Sequence, residues 1–183
     1  MDNHERMALV EKKKNNNEWF GWIKAIVIAL LVAYILRTFV FATSIVEGES
    51  MVPALDNGER IIFNKLIYNI SSPSRGDIVI IQHPDKNYVK RIIGLPNEEI
   101  EIYNNILYVD GEPQKTSYVD EQNQSLTGNF GPISIPDDHY FVMGDNRAVS
   151  KDSRNGLGFI ENSDIIGKSE FVIYPFHELQ LTR

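Results

Sequence analysis

Three stretches of the chain carry side chains of types and spacings that could do chemistry. The first is Val46-Glu47-Gly48-Glu49-Ser50-Met51-Val52-Pro53. A serine hydroxyl such as that of Ser50 becomes a nucleophile when a neighbouring base takes its proton, although Gly-x-Ser alone describes a linker serine equally well. The second is Tyr88-Val89-Lys90-Arg91-Ile92-Ile93-Gly94. Strand alternation puts Tyr88, Lys90 and Ile92 on one face and Val89, Arg91 and Ile93 on the other. A lysine flanked on its own face by an aromatic and an isoleucine is a candidate for burial. Burial disfavours the ammonium and leaves a free amine able to accept a proton; an edge-strand lysine reaching solvent is the alternative. The third runs from Gly144 to Gly156 and interleaves Asp145, Arg147, Asp152 and Arg154 with Ser150 and Ser153. Paired Asp–Arg contacts would stiffen such a loop into part of a site, while a solvated loop would share its composition.

The elements that must position these groups read as short strands. Arg60–Phe63, Asp77–His83, Tyr88–Ile93, Glu99–Tyr103, Ile106–Val109, His139–Met143 and Phe171–Tyr174 are runs of β-branched and aromatic residues separated by Gly, Pro, Asn and Asp. Asn104-Asn105 suits a hairpin turn, because Asn tolerates left-handed backbone, and Asp110-Gly111-Glu112-Pro113 ends the strand that follows. No long stretch after position 47 has helical periodicity, which excludes crossover helices and a parallel sheet. Residues 113–131 form a long polar connection, expected as a surface excursion.

Ahead of this β-rich part lies a different kind of sequence. Ala25-Ile-Val-Ile-Ala-Leu-Leu-Val-Ala-Tyr-Ile-Leu36 is free of charge, with Trp19, Phe20 and Trp22 before it and a second apolar stretch, Thr38–Val46, after Arg37. A helix from about Trp19 to about Ala42 would cross a bilayer, which takes roughly 20 residues. Lys24 and Arg37 would reach the headgroups and the Trp residues would sit at the interface. A cleavable signal peptide is the competing reading, since Ala42-Thr43-Ser44 offers small residues. The expected organisation is a tail over 1–18, an anchor over 19–42 and a domain over 43–183.

Charge placement gives the orientation. The whole chain of 183 residues has a net charge of −7. The first 24 residues hold five Lys or Arg against four acids, net +1, and the remaining 159 hold 13 basic against 21 acidic groups, net −8. With Lys12–Lys14 ahead of the apolar run and Glu47, Glu49 and Asp56 after it, the N-terminus is expected in the cytoplasm and the domain outside. The acidic balance excludes nucleic acid as a partner. The absence of cysteine removes thiol nucleophiles, thiolate zinc sites and disulfides. No two histidines stand at ligand spacing, so neither a metal nor another cofactor is expected.

In chain order these segments resemble the bacterial type I signal peptidases, membrane-bound Ser–Lys proteases that remove signal peptides from exported proteins. The resemblance covers nearly the whole chain: one anchor, then Ser50-Met51-x-Pro53, Arg75-Gly76-Asp77-Ile78-Val79, Lys90-Arg91-x-x-Gly94-x-Pro96 and Gly144–Arg154. It is most similar to the small single-anchor forms of Gram-positive bacteria, including Ser125-Leu126-Thr127-Gly128 and Phe130-Gly131-Pro132. The resemblance implies a mainly β, coiled antiparallel catalytic domain behind one transmembrane helix, with the cell membrane as its location. It implies Ser50 as nucleophile, Lys90 as general base and Ser150 as the hydroxyl that orients the lysine. Arg91 with Asp145, and Asp152 with Arg154, fall where structural pairs are expected. Gly48 stands where many Gram-negative members have a Ser that helps the oxyanion hole, which implies reliance on backbone N–H groups, chiefly that of Ser50 and more weakly that of Gly48. Ala54 and Asn97-Glu98 depart from the residues usual at those positions, neither with a role in proton transfer.

The implied substrate is a preprotein cut after an Ala-X-Ala pattern, with the lipid bilayer as the other partner and a monomer as the working form. Ile45, Met51, Val89 and Ile92 are candidates to line its pocket. Three rival readings stay open at this level. His83, His139 or His177 could complete a Ser–His–Asp triad. An anchored β-domain could bind exported chains without cutting them. A self-processing Ser–Lys protease of the repressor-cleavage type would share the dyad without needing the helix.

Overall fold

The computed structural model describes the backbone of residues 3–182 and the side chains from 19 onward, that of residue 178 excepted. It divides into two compact units, residues 1–40 and 41–183.

The first unit is helical. Helix α1 spans Asn3–Ile35 and passes into a wider π-helical turn over Leu36–Val40. Within it Trp19–Val40 has the length and composition to cross a membrane, with a mean hydropathy of 2.2 and no buried residue. At 1.5 Å per residue these 22 residues extend about 33 Å, close to the thickness of a hydrocarbon core. Trp22, Leu30 and Tyr34 project without protein cover, as suits a helix solvated by lipid. Helical structure thus stops short of Ala42, the end expected from hydropathy, and its last turn loosens over Arg37-Thr38-Phe39-Val40. Thr38, Phe39 and Val40, β-branched or aromatic, are poor helix formers, and the chain immediately after them finds a strand partner.

The second unit is antiparallel β throughout. Its elements in order are β1 (Phe41–Ile45), β2 (Arg60–Asn64), α2 (Ile67–Ile70), β3 (Ile78–Ile81), β4 (Tyr88–Gly94), β5 (Glu99–Tyr103), β6 (Ile106–Val109), β7 (Glu112–Pro113), α3 (Glu121–Ser125), β8 (Phe130–Ser134), β9 (His139–Met143), β10 (Ile160–Glu161), β11 (Ile165–Tyr174) and β12 (Gln180–Leu181). The larger sheet runs β1-β2-β11-β3-β4-β9-β10, with β12 paired to β11; the smaller runs β7-β6-β5-β8. The seven expected strands are all present. Five short or irregular ones join them (β1, β7, β8, β10 and β12), and β11 begins at Ile165 rather than Phe171.

Local chemistry accounts for the turns. Asn104 and Asn105 both adopt positive φ (49° and 65°) between β5 and β6, and Asp110 and Gly111 do so (50° and 79°) between β6 and β7. Two successive left-handed residues make the tight hairpin turn whose twist matches the flanking strands.

Three apolar clusters fill the unit. One gathers Val46, Met51, Leu55, Ile61, Phe63 and Val172 under the loop that carries Ser50. A second holds Val79, Ile81, Tyr88, Ile92 and Val142 across β3, β4 and β9. The third, with Ile93, Phe141 and Met143 from the larger sheet and Ile100, Ile102 and Leu107 from the smaller, joins the two sheets. Phe141 is its centre, fully enclosed, with the Phe130 ring 5.3 Å and the Phe159 ring 6.4 Å away. Phe141→Ala is expected to cost about 3–5 kcal/mol, the usual range for truncating an enclosed Phe. Chemical denaturation of the detergent-solubilised chain measures it.

Candidate functional site

Ser50 and Lys90, 40 positions apart in sequence, meet at one point: Lys90 Nζ lies 2.6 Å from Ser50 Oγ. They are delivered by different means. Lys90 sits in β4, where it pairs with Val79 of β3, and its residue is only 2% exposed. Ser50 stands in an irregular loop pinned at several points. Met51 and Leu55 are sunk in the first apolar cluster, Val46 N–H donates to Glu59 O at 2.8 Å, and Asn146 N–H donates to Ser50 O at 3.1 Å. The loop around Ser50 is thus fastened to the charged loop after β9.

Burial governs the amine. It pushes the Lys90 pKa down from its ordinary value near 10.5 to about 8. The nearby Asp152 carboxylate opposes that shift, Lys86 adds to it, and Asp145 opposes it more weakly. A substantial neutral fraction is therefore present near pH 8, and a neutral amine offers the lone pair that a serine hydroxyl needs as proton acceptor.

The charged loop is a buried ion network. Arg91 donates twice to Asp145, Nε at 2.9 Å and Nη2 at 2.6 Å, and once through Nη1 to Gly76 O at 2.8 Å. Both side chains of this pair are 1% exposed. The Tyr118 ring stacks over the guanidinium at 4.4 Å. Asp152 accepts from Arg154 Nε and Nη2, each at 2.9 Å, and from the Gly144 N–H at 3.1 Å. Arg91 and Lys90 are neighbours on opposite faces of β4, so fixing the guanidinium fixes the strand that presents the amine.

Sequence reasoning assigned no individual role to several members of this assembly. Gly144 leaves room for the site: a Cβ there would overlap both Ser150 Oγ and Ser50 O. Arg147 donates to Gly144 O at 3.1 Å and to Thr127 Oγ1 at 3.2 Å, while Arg154 Nη1 donates to Thr127 O at 2.9 Å. The segment 113–131 is accordingly not a plain surface excursion, because Val119 and Thr127 are buried and Tyr118 covers the Arg91–Asp145 pair. A polar run with a short helix, α3, gives no periodic signal for this. Only the isolated Tyr118 and Val119 could have hinted at it.

Two other expectations, for Ile92 and Gly48, need correction. Ile92 lines no groove at Ser50: it is fully enclosed in the second apolar cluster. Although it shares a strand face with Lys90, β9 has joined β4 by that point, with Ile92 opposite Val142. The Gly48 N–H is already committed, donating to Asn57 Oδ1 at 2.9 Å from a backbone with φ +88°. Ser150 is buried, and its Oγ has no hydrogen-bond partner, so orienting the lysine is not among its contacts in this state. No histidine lines either groove at Ser50 among the described residues. His139 instead contacts Asp137 O at 2.7 Å, and His83 contacts Asp85.

Two grooves meet at the dyad. One, about 260 Å³, is bounded by Ile45, Met51 and Val89. The other, about 500 Å³, leads towards Gly48, Asn57, Val149 and Lys151. No group of His, Cys, Asp or Glu suited to hold a metal occurs among the described residues.

An antiparallel β domain behind an apolar helix, with a serine hydroxyl against a buried amine, has the arrangement of a Ser–Lys peptidase. Comparison with known proteins gives the family. The family model for signal peptidase, peptidase S26, matches residues 19–174. Signal peptidase I of Bacillus licheniformis is 43% identical over 95% of this chain and 100% of its own length. Signal peptidase I S of Bacillus subtilis (strain 168) is 45% identical over 94% of this chain and 97% of its own. Among solved structures, a signal peptidase I from Enterococcus faecalis V583 is 32% identical, covering 54% of this chain and 97% of that one with a TM-score of 0.47. The chain belongs to the signal peptidase family of S26 peptidases.

The network sets a stability test. Asp145→Ala strands Arg91 without its carboxylate in a dry site and should cost about 3–5 kcal/mol. The double replacement Arg91→Met with Asp145→Leu should cost less than that single change, because it leaves no uncompensated charge. Urea denaturation of the three proteins in detergent decides the order.

Proposed function

We propose that this protein is a membrane-anchored serine endopeptidase that removes N-terminal signal peptides from exported preproteins, cutting after an Ala-X-Ala-like site. The observation that carries the reading is the 2.6 Å contact between Ser50 Oγ and the buried Lys90 Nζ. Neutral Lys90 takes the proton of Ser50 Oγ as that oxygen attacks the scissile carbonyl, and the Ser50 backbone N–H receives the developing oxyanion. Protonated Lys90 then gives its proton to the leaving amine. Lys90 next activates a water that hydrolyses the acyl-enzyme, which regenerates the free serine.

Ser150 fits a positioning role within this cycle. An ammonium at Lys90 has three N–H groups to satisfy, and the Ser150 Oγ is a buried acceptor without a partner on the same side of Gly144 as Ser50 O. Arg91, Asp145, Asp152 and Arg154 hold the loop and strand that carry the dyad.

Substrate enters between two open strand edges. β1 is the end of its sheet, and β9 pairs with β4 only from Arg91 onward, leaving one side of Tyr88–Lys90 unpaired. A peptide laid there as an added strand would hydrogen-bond through its backbone and place alternate side chains in the smaller groove. A space of about 260 Å³ walled by Ile45, Met51 and Val89 suits small apolar side chains before the cut. Both grooves and both dyad members come from one chain, so the reading needs no second copy.

The anchor belongs to the same reading. Nine Cα-to-Cα steps lead from Phe41, the first residue after the apolar helix, to Ser50, at most roughly 30 Å of extended chain. A substrate whose apolar segment lies in the same bilayer presents its cut site within that reach. The net charge of +1 before Ala25 and −8 after Lys24 supports an N-terminus in the cytoplasm and a catalytic domain outside.

Three measurements test this. Ser50→Ala and Lys90→Ala should each lower preprotein cleavage in detergent by at least about a thousandfold, as loss of a nucleophile or its base does elsewhere. In the wild type, kcat/KM should rise about tenfold per pH unit below the amine pKa and level off above about 8, because only the deprotonated amine accepts the proton. Protease added outside intact cells should digest the region beyond residue 47 and spare the N-terminal tail.

A further inference from the structure

We propose that Lys86 and Lys151 make the larger groove selective for an acidic side chain within the first few residues after the cut. This rests on the signal-peptidase reading above. If the smaller groove, between the open edges of β1 and β4, takes the residues before the scissile bond, the larger groove takes those that follow: the two share Glu47, Ser50, Lys86, Tyr88 and Lys90, and only the larger extends to Gly48, Glu49, Asn57, Val149 and Lys151.

The larger groove is electrically polarised. Lys86, from the loop between β3 and β4, and Lys151, from the loop after β9, form its basic wall, while Glu47 and Glu49, from the loop that carries Ser50, form the acidic one. The two lysines converge on one platform: their Nζ atoms lie 5.1 Å and 5.7 Å from the centroid of the nearly buried Tyr88 ring. Each is exposed, and neither forms an ion pair among the described residues. An extended peptide sends successive side chains to opposite sides. A carboxylate at the position facing Lys86 and Lys151 is therefore attracted, and a lysine there is repelled. Lys86 also bears on the dyad, opposing a proton on Lys90 while Asp152 and Asp145 favour one. For that reason the comparison must be a ratio between substrates and not an absolute rate.

The test uses the full-length protein in detergent and nine peptides sharing one Ala-X-Ala segment, with Glu, Gln or Lys at the first, second or third position after the cut. At one of these positions the Glu peptide should exceed the Lys peptide in kcat/KM by about three- to tenfold, the scale of two exposed charge contacts. The ratio should shrink at high salt and invert in the Lys86→Glu, Lys151→Glu double variant. Ratios near one at all three positions in the wild type, or an unchanged ratio in the variant, overturn the proposal. If the double variant cuts nothing, Lys151→Gln serves instead: its ratio should fall towards one, and an unaltered ratio is again fatal. Failure of the wild type to cut even the Gln peptides would defeat the signal-peptidase reading itself, an outcome distinct from the loss of charge preference.

Discussion

Keeping a lysine amine out of water next to a serine is the constraint from which most of this structure follows. An ammonium at 2% exposure loses its hydration, and the cheapest response is to give up the proton. That response is also what a general base requires. The strand carrying Lys90 must therefore be covered yet leave its amine facing a groove. β3 pairs along β4 from Tyr88 to Arg91, while β9 pairs only from Arg91 onward. The lysine sits just before the position where the sheet closes.

The neighbouring residue solves the opposite problem. Arg91 keeps its charge in an equally dry place because it receives a bidentate carboxylate, a backbone carbonyl and an aromatic face. Buried ion pairs contribute little net stability compared with apolar packing, so the role of this one is better understood as fixing geometry. It ties β4 to the start of the loop after β9, and Asp152 with Arg154 ties the far end of that loop to its beginning at Gly144. The same loop holds Ser50 O through Asn146. The position of Ser50 is thus set through the ion network from the strand that bears Lys90.

Much of this is written in local sequence, and what is not depends on partners. Ser50, Lys90 and the Gly144–Arg154 run stand out because polar groups there are dense among turn formers, and the seven expected strands are visible as β-branched and aromatic runs. β1 is hidden because Phe41–Ile45 continues the apolar stretch of the helix, and only pairing with Arg60–Asn64 makes it a strand. β8 contains Gly131-Pro132, and the part of β11 ahead of Phe171 contains Gly167, Lys168, Ser169 and Glu170. Both read as loop until tertiary pairing overrides propensity. Alternation assigned Ile92 correctly to the face of Lys90 but could not say that this face passes from groove to core within two residues.

Lysine and serine divide the work according to the length of their side chains. The long lysine stem lets its backbone stay in a strand paired to β3 while the amine reaches the groove, so the amine inherits the rigidity of the sheet. Serine has no such reach, and its backbone must itself come to the site. That accounts for a loop fastened by Met51 and Leu55 beneath, by Asn146 at its carbonyl, and by a glycine at 144 where any Cβ would collide with it. The adjustable partner is the serine loop, which also forms the acidic wall of the larger groove through Glu47 and Glu49. Changes in that loop can therefore alter what enters the groove while leaving the environment of the amine to the strands.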